Sequence, residues 1–270
     1  MPATSHGKRL VTAAVIIPLL FSSLYWGGLL LFLFLVWGCL LLGNREFLTL
    51  LYHDPPPIML WLHGLWGTLA LAGAYFRGLE GLLAVLILGS ILSVLQLIWT
   101  FPYQRPFFEY LGKQTFALWY LPLYLPFLIL IRLQPQGLWW IFFLAAVNYA
   151  GDTAAYYVGR TWGRHKLAPS VSPQKTVEGS LGGLTANVLI ALLLAQTLFP
   201  HYPWFVLSGL GLLIGIVSQL GDLLESVFKR AARIKDSGSI FPGHGGLLDR
   251  VDSLILPAPI LYFFLIFFKQ

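Results

Sequence analysis

The densest group of chemically active side chains in this 270-residue chain lies between Ser226 and Asp252. Only 10% of the residues in the chain are charged. This segment nevertheless contains a glycine-rich loop flanked by the charged residues Lys229, Arg230, Arg233, Lys235, Asp236, Asp249, Arg250 and Asp252. Because charges are costly close to a membrane, their concentration in an apolar chain indicates a functional site.

Four aspartates are candidate metal ligands. Asp222 and Glu225 are three residues apart, as are Asp249 and Asp252, so each pair would lie on one face of a helix. Carboxylate oxygens suit Mg²⁺, with phosphate oxygens and water completing its coordination. We expect Asp222 and Asp249 to bind the metal, and Asp252 and Asp152 to support it or to hold a second cation. Ion pairing of these acids with neighbouring basic residues is the structural alternative.

The glycine-rich loop over 242–246 leads into a helix that we expect to start between Leu247 and Asp249. Glycines let backbone N–H groups approach phosphate closely, and a helix N-terminus adds a positive dipole. The pattern therefore predicts an anion site that uses Gly245 and Gly246. His244 either donates to the phosphate or caps the loop.

A second polar loop runs from Arg160 to Leu181 and contains several basic residues, among them Lys175. Ser172 and Pro173 predict a turn within it. The loop either binds a nucleotide or lipid phosphate, or contains the basic residues that any cytoplasmic loop of a membrane protein tends to have.

Two predicted helices share a pattern, over Asn148 to Arg160 and over Ser218 to Arg230. In each, Gly-Asp is followed by Arg eight residues after the Asp. That spacing is about two helical turns, or ~12 Å, so each Asp would lie below a group of cations. Glu46, at the end of another apolar run, is interpreted as a structural partner of Arg45 or Arg9.

The elements that must position these residues are apolar helices. With 57% hydrophobic residues and a mean hydropathy of +0.76, the chain has the composition of an all-α, polytopic integral membrane protein. At roughly 20 residues per crossing, about nine transmembrane helices are predicted. They cover about 10–26, 28–50, 58–76, 80–100, 115–132, 137–159, 180–199, 204–230 and 249–268. Cys39 is the single cysteine, so an internal disulfide is excluded.

Charge distribution predicts the orientation. With the N-terminus in the cytoplasm, all of the 17 Lys and Arg residues except Arg77, Arg132 and Lys269 are on the cytoplasmic side. No small-residue cleavage site follows the first apolar run, which we interpret as a retained helix. We expect residues 1–140 to form about five N-terminal spans and 141–270 to form the catalytic region. The two would make one membrane unit without a separate soluble domain.

The C-terminal half resembles the CDP-diacylglycerol synthases, also called phosphatidate cytidylyltransferases. The residues that carry the resemblance are Ser226, Lys229, Arg230, Lys235, Asp236, Gly238, Pro242, His244, Gly245, Gly246, Asp249, Arg250 and Asp252. Upstream, Asp152 with the residues around Gly159 and Gly163 is similar to the family's preceding helix. Ser172-Pro173 and Lys175 are similar to its Ser-Pro-basic segment, although Gln174 stands where a basic residue is usual.

This resemblance implies that phosphatidate and CTP are converted, with Mg²⁺, to CDP-diacylglycerol and pyrophosphate at the cytoplasmic face of the inner membrane. A homodimer surrounded by membrane lipids is likewise implied, and no nucleic acid is expected. Catalysis would fall to Asp222, Asp249, Lys229, Arg230, Arg250 and His244. Substrate binding would fall to Lys175, Ser172, Ser226, Lys235, Asp236, Gly245 and Gly246. The alternatives are a CTP-dependent kinase of a lipid alcohol such as dolichol and, from another class, an ion-coupled transporter.

Overall fold

The computed structural model describes residues 27–100, 106–238 and 245–268, which fold almost entirely into helices. The elements are α1 (Gly28–Tyr52), α2 (Pro57–Thr100), α3 (Phe107–Tyr124), α4 (Pro126–Arg132), α5 (Gly137–Trp162), β1 (Lys166–Ala168), β2 (Ser172–Thr176), α6 (Val177–Thr197), α7 (Trp204–Ala231), α8 (Leu248–Ile255) and α9 (Pro257–Phe267). Within these residues, six helical stretches are long and apolar enough to cross a membrane. They are Gly28–Tyr52, Pro57–Trp99, Phe107–Arg132, Val177–Thr197, Trp204–Ala231 and Leu248–Phe267. The chain is therefore a helical membrane protein.

The chain forms two compact units, of which the first comprises Met1–Leu130 and Ile234–Arg250. Within it, α2 reverses direction at Gly78, whose φ of 65° lies in the left-handed region that favours glycine. Gly89 then lies against the ring of Trp66. Residues this far apart could not touch along a straight helix, because each residue advances the chain by about 1.5 Å. The element is therefore a helical hairpin.

The second unit comprises Ile131–Arg233 and Val251–Gln270. Its helices α5, α6 and α7 approach closely through small residues, as membrane helices commonly do. Gly151 of α5 and Gly215 of α7 both face Asn187 of α6, and a Cβ on either glycine would clash with that side chain. Asn187 is buried, with 2% of its surface exposed. These contacts hold α5 and α7 against α6. Both α5 and α7 carry candidate site residues.

The polar loop between α5 and α6 contains a β-hairpin that the sequence analysis did not predict. Strands β1 and β2 are antiparallel, with Ala168 opposite Ser172. The turn lies over 169–171 and is closed by a 3.1 Å hydrogen bond from Val171 N to Ala168 O. The prediction of a turn at Ser172 and Pro173 was therefore wrong, because both residues lie in β2.

Predicted and observed helices otherwise correspond closely from residue 28 onward. The segment predicted over 115–132 begins earlier, at Phe107, and is interrupted after Tyr124. The helix predicted to start at residue 180 begins at Val177. The last predicted helix is divided into α8 and α9 at Pro257, which has no backbone N–H to continue a helix. The helix predicted over 10–26 lies outside the described residues.

Candidate active site

Three aspartates of the second unit, each on a different helix, form an acidic cluster, which we define as Asp152, Asp222 and Asp252. They lie on α5, α7 and α8, respectively. Asp222 interacts electrostatically with both of the others. Asp252 is buried, with 8% of its surface exposed, whereas Asp152 and Asp222 are half-buried. Three of the four predicted metal ligands therefore lie in the second unit, with Asp222 near each of the other two.

A buried polar network supports this cluster. Asn148 is completely buried on α5, one helical turn before Asp152. Its Nδ2 donates to Ser253 Oγ at 2.8 Å, and its Oδ1 accepts from Ser218 Oγ. Ser218 lies one turn before Asp222 on α7, and Ser253 follows Asp252 on α8. One asparagine therefore links the three backbone segments that carry the three carboxylates.

Asn148, Ser218 and Ser253 were not predicted as site residues, although the sequence contains a signal for the first two. In both copies of the Gly-Asp pattern a polar residue precedes the aspartate by four positions. Residues four apart lie on the same helix face, so the polar residue and the aspartate point the same way. In an apolar helix, such a pair indicates a buried polar network, since unpaired polar groups there are costly.

A lysine from the β-hairpin neutralises part of the cluster. Lys175 Nζ lies 2.6 Å from Asp222 Oδ2, with 25% of the lysine side chain and 35% of the aspartate side chain exposed. The adjacent Thr176 is the N-cap of α6, and its Oγ1 accepts from Gly179 N at 3.1 Å. The cap fixes the backbone next to Lys175, because it satisfies an N–H group that the first turn of a helix leaves unpaired.

Two predicted phosphate-binding cations have partners within the protein. Lys229 Nζ lies 2.5 Å from Oε2 of Glu225, which is fully buried one turn earlier on α7. Glu225 also interacts with Asp252. Arg230 Nε donates to Val171 O at 3.2 Å and so ties α7 to the turn of the hairpin. Their contact with phosphate stays a prediction.

Asp249 belongs to the first unit, where it binds backbone N–H groups. Its Oδ2 accepts from Ser237 N at 3.1 Å and from Gly246 N at 2.8 Å. These donors stand on either side of residues 239–244, which lie outside the described part of the chain. Asp249 Oδ2 therefore holds the backbone of Ser237 next to that of Gly246. Metal binding by Asp249 stays a prediction.

Glu46 is the second carboxylate at this segment. The structure does not show the predicted pairing with Arg45; instead, Glu46 accepts from Leu247 N and Leu248 N at 3.0 and 2.8 Å. Arg9, the other partner considered, lies outside the described residues. Helix α8 starts at Leu248, as predicted. The N–H groups of Leu247 and Leu248 are bound to this carboxylate, and phosphate binding at this helix end stays a prediction.

The other predicted site residues are distributed over both units. Ser172 lies on β2 and Ser226 on α7 of the second unit, and both are half-buried. In the first unit, Lys235, Asp236 and Arg250 are exposed, while Gly245 is half-buried and has a φ of 79°. His244 lies outside the described residues. No described group of three or more His, Cys, Asp or Glu side chains is arranged as a preformed metal site.

The chain was compared with protein-family models and with known proteins. A model of the cytidylyltransferase family matches residues 7–268. A phosphatidate cytidylyltransferase of Bacillus subtilis (strain 168) is 40% identical over 163 residues, which cover 60% of this chain and 61% of that protein. The protein of the same name from Synechocystis is 48% identical over 134 residues, covering 49% of this chain and 45% of the relative. That from Staphylococcus aureus (strain COL) is 40% identical over 140 residues, covering 52% and 54%.

The match to each relative is partial, since it spans between 45% and 61% of the relative's length. The family model, in contrast, extends over nearly the whole chain and includes the acidic cluster, the β-hairpin and the segment next to Glu46. The chain belongs to the cytidylyltransferase family.

Proposed function

We propose that this protein is a phosphatidate cytidylyltransferase, which converts CTP and phosphatidate to CDP-diacylglycerol and pyrophosphate in phospholipid biosynthesis. The observation that carries the proposal is the acidic cluster with Lys175 bound to Asp222. It combines oxygen ligands for a cation with a positive charge for phosphate, inside a helical membrane protein of the cytidylyltransferase family. The names of the three relatives support the choice of substrates.

The donor set of the acidic cluster fits Mg²⁺, the cofactor that we propose. Its donors are carboxylate oxygens, and the mutual repulsion of three nearby carboxylates favours a bound cation. Mg²⁺ commonly uses only one or two protein carboxylates and takes its other ligands from substrate phosphates and water. A preformed group of three ligands is therefore not required. Asp222 would hold the ion, with Asp252 and Asp152 supporting it or a second cation; when bound, Mg²⁺ neutralises charge on the triphosphate.

The reaction needs no base from the protein. A phosphate monoester carries close to two negative charges near neutral pH, so a phosphatidate oxygen can attack the α-phosphorus of CTP directly. A new P–O bond forms at the α-phosphorus while its bond to the oxygen that bridges to the β-phosphorus breaks. Pyrophosphate leaves with that oxygen and its electron pair. The work left to the protein is positioning and charge neutralisation.

Several side chains would share this work. Lys175 would bind the phosphate of phosphatidate, since its β-hairpin places it at the acidic cluster. Lys229, Arg230 and Arg250 would balance charge on the reacting phosphates, and His244 would contact the leaving pyrophosphate. Ser172, Ser226, Lys235, Asp236, Gly245 and Gly246 remain proposed substrate-binding residues, and Asp249 remains a proposed metal ligand.

We further propose nine membrane crossings, with the N-terminus and the active site facing the cytoplasm, in the inner membrane. The lysines and arginines support this orientation, since only three of 17 would lie on the far side. A homodimer among membrane lipids completes the proposed arrangement.

A labelling experiment tests the proposed activity. Purified protein is incubated with phosphatidate, Mg²⁺ and CTP labelled in the cytosine ring, and the lipids are separated by thin-layer chromatography. The proposal predicts a labelled lipid that co-migrates with CDP-diacylglycerol. A parallel reaction uses CTP labelled in the γ-phosphate and a lipid alcohol as acceptor. Label transferred to lipid only in this second reaction would identify a CTP-dependent lipid kinase instead.

A further inference from the structure

Glu46 is a buried carboxylate that joins two distant parts of the first unit. It lies near the end of α1, and 6% of its surface is exposed. Its Oε1 accepts from Leu247 N at 3.0 Å, and its Oε2 accepts from Leu248 N at 2.8 Å and from Ser237 Oγ at 3.2 Å. Both oxygens are therefore used, and the donors come from both sides of residues 239–244.

Two glycines make room for the Glu46 carboxylate. A Cβ on Gly238 would lie 2.5 Å from Glu46 Oε1, and one on Gly246 would lie 2.5 Å from Oε2. Either contact would force the carboxylate or the backbone to move, because real Cβ atoms do not come this close to another heavy atom. The backbone on each side of 239–244 thus closes around this one side chain.

The second carboxylate, on Asp249, reinforces the same junction. Its Oδ2 accepts from Ser237 N and Gly246 N, while the Ser237 hydroxyl donates to Glu46. Ser237 is therefore held by both acids. Hydrogen bonds to charged acceptors are about twice as strong as neutral ones, so the two carboxylates hold Ser237 against Gly246 and the start of α8.

A role as an ordinary helix cap or ion-pair partner explains these contacts poorly. Helices are usually capped by a Ser, Thr, Asp or Asn at the N-cap position, whereas Glu46 is 201 and 202 residues away from the N–H groups that it binds. None of the ion pairs between described residues includes Glu46. Its negative charge is balanced by backbone dipoles of the junction instead.

We propose that Glu46 is a positioning residue that holds Ser237 and Gly238 against the backbone of residues 246–248. This inference rests on the proposed function, in which Gly245 and Gly246 belong to the residues that bind the substrate CTP. A residue of α1 then contributes to nucleotide binding without touching the nucleotide, because the backbone that it holds carries the proposed contacts.

Glu46→Gln tests the proposal with almost no change of size. A glutamine has one acceptor oxygen, so its NH₂ group must face either Leu247 N or Leu248 N, and that donor loses its partner. We expect the amides of residues 245–249, followed by hydrogen exchange and mass spectrometry, to exchange about tenfold faster or more. We also expect the KM for CTP to rise about tenfold, which corresponds to about 1.4 kcal/mol, while the KM for phosphatidate stays unchanged.

Glu109→Gln is the matched control, since Glu109 is 57% exposed and pairs with Lys113 on the surface of α3. It should change neither measurement. If Glu46→Gln does not fold, Ser237→Ala replaces it. That variant removes one of the three donors to Glu46, and we expect a smaller acceleration of exchange in the same amides.

Two results would overturn the proposal. One is exchange at residues 245–249 equal to that of the unsubstituted protein, in Glu46→Gln or in the Ser237→Ala variant that stands in for it. The other is a lower kcat with an unchanged KM for CTP, as expected if the substitution only reduced the folded fraction. If the unsubstituted protein fails to transfer cytidine, the proposed function is wrong, and hydrogen exchange still decides whether Glu46 holds the junction.

Discussion

Replacing Lys175 with methionine removes the cation bound to Asp222 while keeping a side chain of similar length. In the proposed function, Lys175 binds the phosphate of phosphatidate. The Lys175→Met variant should therefore bind this substrate poorly. It should also leave Asp222 next to Asp152 and Asp252 without the lysine that balances their charge. Because like charges repel, the acidic cluster should then attract a divalent cation more strongly.

The expected magnitudes follow from the geometry of this ion pair. Its side chains are 25% and 35% exposed, and pairs this accessible contribute about 0–1 kcal/mol to folding. Stability should therefore change by less than about 1 kcal/mol. A hydrogen bond to a charged phosphate is worth about 1.5–3 kcal/mol, so kcat/KM for phosphatidate should fall by about 10- to 150-fold.

The assay measures initial rates of CDP-diacylglycerol formation at varied phosphatidate and varied Mg²⁺, together with the thermal unfolding of each variant. Lys166→Met is the matched control, because Lys166 is an exposed lysine on β1 of the same hairpin. For Lys175→Met we expect a lower kcat/KM for phosphatidate and half-maximal activity at a lower Mg²⁺ concentration. Activity within about twofold of the unsubstituted protein, or an equal loss in Lys166→Met, would refute the role of Lys175.

Three further substitutions and one metal depletion extend the test. Asp222→Asn and Asp249→Asn should each abolish CTP-dependent transfer in folded protein, and full turnover by either would remove that residue from the proposed metal site. Asn148→Leu should lower the melting temperature in detergent by about 4–10 °C, because the hydroxyls of Ser218 and Ser253 lose a buried partner; an unchanged melting temperature would contradict this network. EDTA should stop turnover and excess Mg²⁺ should restore it, whereas full activity in EDTA would exclude the metal.

The sequence predicted those features that depend on local pattern. Apolar runs of membrane length gave the described helices to within a few residues at most ends, because hydrocarbon thickness sets helix length. The helices predicted over 58–76 and 80–100 correspond to the two segments of α2, which meet at Gly78. The start of α8 at Leu248 followed from the glycines before it.

The features that the sequence did not reveal depend on contacts between distant residues. The β-hairpin was missed because Ser172 to Thr176 includes Pro and Lys, which do not favour strands. The contacts of Glu46 span about 200 residues, so no spacing within one element could indicate them. The acidic cluster was only partly predicted: residue type identified Asp152, Asp222 and Asp252, whereas the packing of three helices brings them together.

The activity that we propose for this protein is transfer of the cytidylyl group of CTP to phosphatidate. The most direct test measures pyrophosphate release and incorporation of labelled cytidine into lipid in the same reaction of the purified protein in lipid vesicles, with Asp222→Asn measured in parallel. We expect one pyrophosphate to be released for each cytidine incorporated, with both products dependent on phosphatidate and Mg²⁺ and neither formed by Asp222→Asn. Lipid that gains phosphate without cytidine, or equal turnover by Asp222→Asn, would contradict this proposal.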